Sequence, residues 1–175
     1  MLDYNQLNGI LKANGIDLDF VDNFGGIEPK IKPLVITLNC RGFMTTGSCE
    51  GHTFEVQEKR ILEAFKDFDL KVISRGEKGL AYQVKIKGIN KVRFITEFEP
   101  YVHLHMYDDN QESTLEKIIR FHNSRNGVQW KMARSPRPTD PKTFRSLYAY
   151  SSHPLTEKQE DINLLAEDVF YRYLL

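Results

Sequence analysis

A thiol, a carboxylate and an imidazole lie within four positions of one another in the stretch FMTTGSCEGH, which runs from Phe43 to His52. Cys49 and His52 have C-x-x-H spacing, which suits a metal pair, and a thiol next to a cation can act as a nucleophile. The alternative for Cys49 is a small buried residue. The small residues from Thr45 to Gly51 also predict a loop whose N–H groups approach an anion or a polar ligand.

Two further imidazoles occur in YVHLHMY, which alternates between apolar and polar residues. This alternation predicts a strand with Val102, Leu104 and Met106 in the core. His103 and His105 then share the opposite face, about 7 Å apart at their Cα atoms. On that face they could ligate a metal, bind an anion or act as acid and base, or they could form hydrogen bonds to a helix or to water.

The two segments together allow two kinds of site. If strands 43–48 and 101–107 are neighbours, Cys49, His52, His103 and His105 could form a four-ligand zinc site. We favour a metal-free pocket, because the zinc site needs four residues from two segments to converge; Glu50 would then hold one imidazole in a fixed tautomer. The predicted ligand-binding residues are Thr46, Ser48, Cys49, Glu50, His52, His103 and His105.

Composition and charge indicate a folded globular protein. The chain has 175 residues, 41% of them hydrophobic and 27% charged, and its formal net charge is zero. A zero net charge argues against a protein whose whole surface binds nucleic acid electrostatically. The segment 117–145 is nevertheless basic, with eight Lys and Arg against Asp140 alone, and holds several aromatic residues. It could bind phosphate and stack a base, or it is a solvated surface; the predicted anion- or RNA-binding residues are Arg125, Lys131, Arg134 and Arg137.

The apolar patterns predict an α+β fold, a single domain over 1–175 with a mixed β-sheet flanked by helices. The absence of a signal peptide or long apolar run predicts a cytoplasmic protein with no membrane contact. Two cysteines give no disulfide framework. The predicted helices are 3–14, one from Pro33 to Gly42, 57–67, 110–123 capped by Asp108 or Asp109, and about 156–174 with a Thr156–Gln159 capping box. The predicted strands are 43–48, a hairpin around RGEKG, 101–107, VQWKMA and FRSLYAYS, with 90–99 ambiguous.

Three segments also carry a resemblance to a known family. TTGSCEGH, FEPYVHLHM and the turn from Asn123 to Gly127 resemble, in order and spacing, motifs of the wybutosine-synthesis tRNA methyltransferase family, over about Ile36 to Met132. The resemblance implies a nucleotide-like or S-adenosylmethionine-like ligand, an RNA partner, and S-adenosylmethionine as methyl donor. His52 stands where the family has arginine, and Glu50 replaces a small residue.

Three classes of function stay open on these observations. The first is a methyltransferase-like enzyme. The second is a binding module for a nucleotide or another small anion that is not turned over. The third is a protein-interaction module of the kind found among bacterial and phage accessory proteins.

Overall fold

The computed structural model describes residues 27–76, 79–134 and 144–172, without the side chains of residues 75, 76 and 94. The chain forms two compact units: unit 1 is Met1–Glu50 with Glu99–Leu175, and unit 2 is Gly51–Phe98. In the described residues, no helix combines the length and the apolar character needed to cross a membrane.

Four helices and seven strands make up the described chain. In chain order they are α1 (Lys32–Cys40), β1 (Met44–Cys49), α2 (Phe54–Ala64), β2 (Leu70–Gly76), β3 (Gly79–Ile86), β4 (Ile89–Ile95), β5 (Tyr101–His105), α3 (Asp109–Arg125), β6 (Trp130–Arg134), β7 (Phe144–Ala149) and α4 (Leu155–Arg172).

Local signals explain where several helices begin and end. Pro33 lies in the first turn of α1, where its missing N–H costs no helical hydrogen bond. After α1 the chain reverses through Gly42, whose φ of +82° is in the left-handed region that glycine tolerates best. Asp108 caps α3 by accepting a hydrogen bond from the backbone N–H of Gln111 at 2.8 Å.

Unit 1 is an antiparallel four-stranded sheet in the order β1-β5-β7-β6. Its hydrophobic core combines side chains of β5, β6 and β7 with the apolar sides of α1, α3 and α4. Within this core Val102, Leu104 and Leu147 are fully buried, and Met106 is buried just beyond β5. The central strands β5 and β7 therefore have one face fixed by tight packing, which makes the sheet a rigid support.

Unit 2 is helix α2 followed by the antiparallel meander β2-β3-β4. Leu80, Tyr82 and Ile95 form its core with Phe54 and Ile61 from α2 and with Leu70. The Tyr82 hydroxyl also donates to Glu58 Oε1 at 2.6 Å. The helix and the sheet of this unit thus hold each other through one small apolar contact.

The predicted α+β class and the predicted hairpin are confirmed. The first helix ends at the turn through Gly42, and Asp108 caps α3, as expected. Val102, Leu104 and Met106 are buried, as the alternation after Pro100 predicted. The described strands pair in two antiparallel sheets, not in one mixed sheet. The ambiguous segment 90–99 contributes most of β4. The predicted capping box is wrong, because α4 begins at Leu155 and Gln159 bonds to Glu50 and Lys30 instead. The predicted helix 3–14 lies outside the described residues.

Candidate ligand-binding face

The sheet of unit 1 has two unlike faces. One packs against the helices, and alternate residues of β5, β6 and β7 point to the other. We call this second face the outer face and define it by Tyr101, His103, His105, Lys131, Phe144, Ser146 and Tyr148. Lys131 is exposed and the other six are half-buried, so the outer face combines rings, imidazoles and a cation at its edge.

The imidazoles of the outer face contact side chains of the same face. His103 and Ser146 are cross-strand partners, and His103 Nδ1 lies 2.9 Å from Ser146 Oγ. The ring of Tyr101 lies 4.7 Å from that of His103. The ring of His105 meets that of Phe144 edge-on at 5.0 Å. These contacts hold both imidazoles of β5 in place against side chains of β5 and β7.

One polar atom of this face is buried and lacks a hydrogen bond. In the described part of the chain, His105 Nδ1 is shielded from solvent and has no hydrogen-bond partner. Buried polar atoms are rarely left in this condition, because the loss of hydration is not compensated. A ligand group that donates to or accepts from this nitrogen would complete its hydrogen bonding.

A cation lies at the edge of the outer face. The Nζ atom of Lys131 is 5.1 Å from the ring centroid of Tyr148 and 4.7 Å from that of Tyr150. An exposed cation–π contact contributes only about 0.5–1 kcal/mol. The ammonium can therefore leave the rings for a phosphate at little cost, and this movement frees a tyrosine ring for stacking.

The segment predicted to be a small-residue loop is strand β1. Cys49 pairs with Tyr101, and Gly47 pairs with His103. The backbone from Met44 to Cys49 therefore takes part in a β-ladder, which confirms the predicted strand 43–48. Thr46 lies at a bulge and is exposed, whereas Ser48 is half-buried and Cys49 is buried.

The predicted pairing of the two segments is confirmed, because β1 and β5 are adjacent. His103 lies diagonally across from Cys49, and such neighbours are about 7–8 Å apart. The sheet therefore places Cys49 beside His103, whereas His105 pairs with Met44 at the other end of β1.

Glu50 does not fix the tautomer of an imidazole. Its carboxylate accepts from the backbone N–H of Lys30 at 2.8 Å, and its own N–H donates to Glu28 Oε2 at 2.9 Å. Its carbonyl accepts from Gln159 Nε2 at 3.1 Å. Glu50 thus ties the segment before α1 to the end of β1 and to α4.

His52 belongs to unit 2, where it is 6% exposed. Its backbone exchanges two hydrogen bonds of 3.0 Å with Phe98, and its Nε2 lies 2.9 Å from Arg60 Nη1. The sequence predicted His52 only as a candidate ligand. The structure shows a buried residue whose replacement would also disturb the fold of unit 2.

The sequence offered Cys49, His52, His103 and His105 as a four-ligand zinc set. Cys49, His103 and His105 belong to unit 1 and His52 to unit 2. In the described ranges, no group of three potential metal ligands includes His103 or His105. Both imidazoles contact β7, with His103 at Ser146 and His105 at Phe144.

The basic segment 117–145 does not form one surface. Arg145 is 7% exposed on the helix side of the sheet, where Glu112 binds it with two hydrogen bonds of 2.5 and 2.7 Å. This carboxylate, with the nearby acids Asp109 and Glu116, raises the pKa of Arg145 despite its burial. Arg125 lies by Asp168 at 3.7 Å on the helices.

The other predicted phosphate-binding residues have different positions. Lys131 is on the outer face, Arg134 is exposed at the end of β6, and Arg137 lies outside the described residues. Trp130, counted among the aromatic residues near the basic segment, is 1% exposed in the core and cannot stack a ligand. Lys131 and Arg134 are therefore the described cations nearest to the role that the sequence predicted.

Sequence reasoning missed a buried ionic cluster in unit 1. His122 is not among the candidate site residues of the sequence, but Asp161 and Asp168 of α4 bind its two ring nitrogens at 2.8 and 2.9 Å. Trp130 Nε1 donates to the same Asp161 oxygen at 2.8 Å. Burial alone would lower the pKa of His122, but the two carboxylates together raise it. The available signal was the seven-residue spacing of the two aspartates, which places them on one helix face.

Comparison with protein-family models, curated proteins and solved structures returned no significant match. The resemblance to the wybutosine-synthesis family therefore stays a prediction from its motifs. Because a fold can host many functions, the function must be argued from the site itself.

Proposed function

We propose that unit 1 binds an unpaired nucleotide of an RNA on the outer face. The observation that carries this proposal is the outer face itself: aromatic and imidazole rings from two adjacent central strands, with Lys131 at the edge. Four-stranded sheets with aromatic residues on one face are one of the architectures that bind single-stranded RNA.

Each group on this face has a suitable chemical role. Tyr148 and Phe144 offer ring faces, and stacking of one base on an aromatic ring contributes about 1–3 kcal/mol. His103, His105 and Ser146 offer polar atoms to the edge of a base. The ammonium of Lys131, which is exposed, would take the phosphate of the same nucleotide.

The resemblance supports the same class of ligand, because it implies an RNA partner. It also implies S-adenosylmethionine, for which the TTGSCEGH segment would be the candidate site. Met44 to Cys49 are paired with β5, so this segment does not fit a backbone cradle around that cofactor. We therefore limit the proposal to binding and derive no methyl-transfer step.

Fluorescence anisotropy with labelled single-stranded RNAs of about eight nucleotides tests this proposal. Tyr148→Ala and Phe144→Ala should each weaken binding about tenfold, which corresponds to about 1.4 kcal/mol of lost stacking. Tyr171→Ala is the matched control, because Tyr171 is 59% exposed on α4 and lies off the outer face. Unchanged affinity in both outer-face variants, with thermal unfolding like that of the parent, would refute the proposal.

A further inference from the structure

Unit 2 separates its charges between helix and sheet. From Lys71 to Arg93 the sequence has seven Lys and Arg and a single acid, Glu77. From Gly51 to Leu70, in contrast, it has five Asp and Glu and three Lys and Arg. Basic residues are thus concentrated in the part of the sequence that holds β2, β3 and β4.

The most concentrated part of this charge lies at the end of the β3–β4 hairpin. Ile86 pairs with Ile89, and Lys87 and Gly88 between them have φ of +49° and +80°. Two positive φ values in a two-residue loop define a type I′ turn, in which Asn, Asp or Gly is usual at both positions. Lysine at the first position is less favourable for the backbone and places a charge at the tip.

Four lysines surround this tip, and all are exposed: Lys71, Lys85, Lys87 and Lys91. Within the described ranges none of the four has an ion-pair partner. Asp69 is close in the fold, since its carbonyl accepts from the N–H of Lys85 at 3.3 Å, but its carboxylate forms no ion pair with that lysine. These ammonium groups are therefore available to an external anion.

The spacing of the lysines suits a repeating anion. Lys71 lies opposite Gln83, so Lys85 is its diagonal neighbour at about 7–8 Å. Lysine is a flexible point charge that needs no fixed partner geometry. Ile89, which is 62% exposed beside the tip, adds an apolar contact for a sugar or a base. A polymer with a phosphate at each unit can contact several of these lysines at once.

We propose that the β3–β4 hairpin of unit 2 binds the phosphate backbone of a nucleic acid. This proposal does not depend on the base-binding role of the outer face, since it rests on other residues and on another unit. The hairpin would supply sequence-independent affinity, which comes mainly from the release of counterions. A two-stranded ribbon also fits the major groove of a duplex, so both single strands and duplexes are suitable probes.

The test compares two triple variants of the full chain that have the same net charge. K85E/K87E/K91E changes the hairpin, and K59E/K66E/K117E changes three exposed lysines on or next to helices. Each binds a labelled 20-nucleotide single strand, and the duplex of the same sequence, at several salt concentrations. For the single strand the hairpin variant should lose at least about tenfold in affinity at low salt, and its log–log salt slope should be shallower by about 2, because each phosphate contact contributes about 0.7.

The control triple variant should bind with an affinity within about threefold of the parent's, and its salt slope should equal that of the parent. Equal losses in the two triples would show a general effect of net charge and overturn the proposal, as would a parent protein that binds neither probe. The neutral K85Q/K87Q/K91Q variant excludes charge repulsion as the cause of weaker binding, and it too should have a shallower salt slope.

Tyr148→Ala should weaken binding without changing the salt slope, so failure of the outer-face proposal can be distinguished from failure of the hairpin proposal. A hairpin variant that changes only the sedimentation of the protein, with binding intact, would indicate a protein contact instead and refute the proposal.

Discussion

His122 Nε2 lies 2.8 Å from Asp161 Oδ2, and the histidine is fully buried. Asp168 binds the other ring nitrogen, so the imidazole lies between two carboxylates. Such a geometry favours the protonated ring, because both nitrogens can then donate. The cluster joins α3 to α4 and, through Trp130, to the sheet.

The stability of unit 1 should therefore depend on pH through His122. The carboxylates raise the folded-state pKa of His122 above its ordinary value, so the protonated ring stabilises the folded state. This contribution is fully present below the unfolded pKa of about 6.5 and is lost as the pH rises through the raised folded pKa. Denaturant unfolding across this range should show a decline in the free energy of unfolding that is absent in His122→Gln. A parent and a variant with parallel pH profiles would contradict the assignment.

The ion pair between Arg145 and Glu112 should be important for stability. Glu112→Gln leaves a buried guanidinium with one charged partner fewer, and loss of a partner from a buried pair costs about 3–5 kcal/mol. Because Glu112 is partly exposed, we expect a loss somewhat below this range, about 2–3 kcal/mol, in urea unfolding. Glu116→Gln on the same helix removes an exposed contact to Arg120 at 3.9 Å and a more distant charge near Arg145, and it should change stability by less than about 0.5 kcal/mol. Equal effects of the two substitutions would show that the buried pair has no special role.

Gly42 should resist substitution because of its backbone and not because of crowding. Its φ is +82°, and an added Cβ would meet nothing within 4 Å. Gly42→Ala should therefore cost about 1 kcal/mol from backbone strain alone. Gly42→Asn should cost less, since asparagine tolerates this region better. If the Gly42→Ala variant is as stable as the parent in thermal unfolding, the left-handed conformation at residue 42 is not required for stability.

The two cysteines should react slowly in the folded protein. Burial raises the pKa of the Cys40 thiol, and Arg41 opposes this only in part. Cys49 is 8% exposed at the end of β1. Alkylation with iodoacetamide at pH 7 should therefore be slow for both thiols and complete after unfolding. Rapid, selective labelling of Cys49 in the native protein would instead favour a nucleophilic role.

The sequence by itself determined the local features. Alternation in YVHLHMY predicted which side chains of β5 enter the core, because successive residues of a strand point to opposite faces. The positions of Gly42 and Asp108 predicted a turn and a helix cap, since both depend on neighbouring backbone alone. These features require no knowledge of the partner strand or helix.

Only the tertiary structure decided what each chemical group contacts. Glu50 was expected beside an imidazole but binds the backbone of Lys30, and Trp130 was expected near a basic surface but lies in the core. The same holds for His122, whose partners are 39 and 46 residues away in the sequence. Strand order and helix packing set these contacts, and they depend on long-range pairing that periodicity does not encode. The outer face exists for the same reason: the sheet places β7 between β5 and β6, so residues far apart in sequence share one surface.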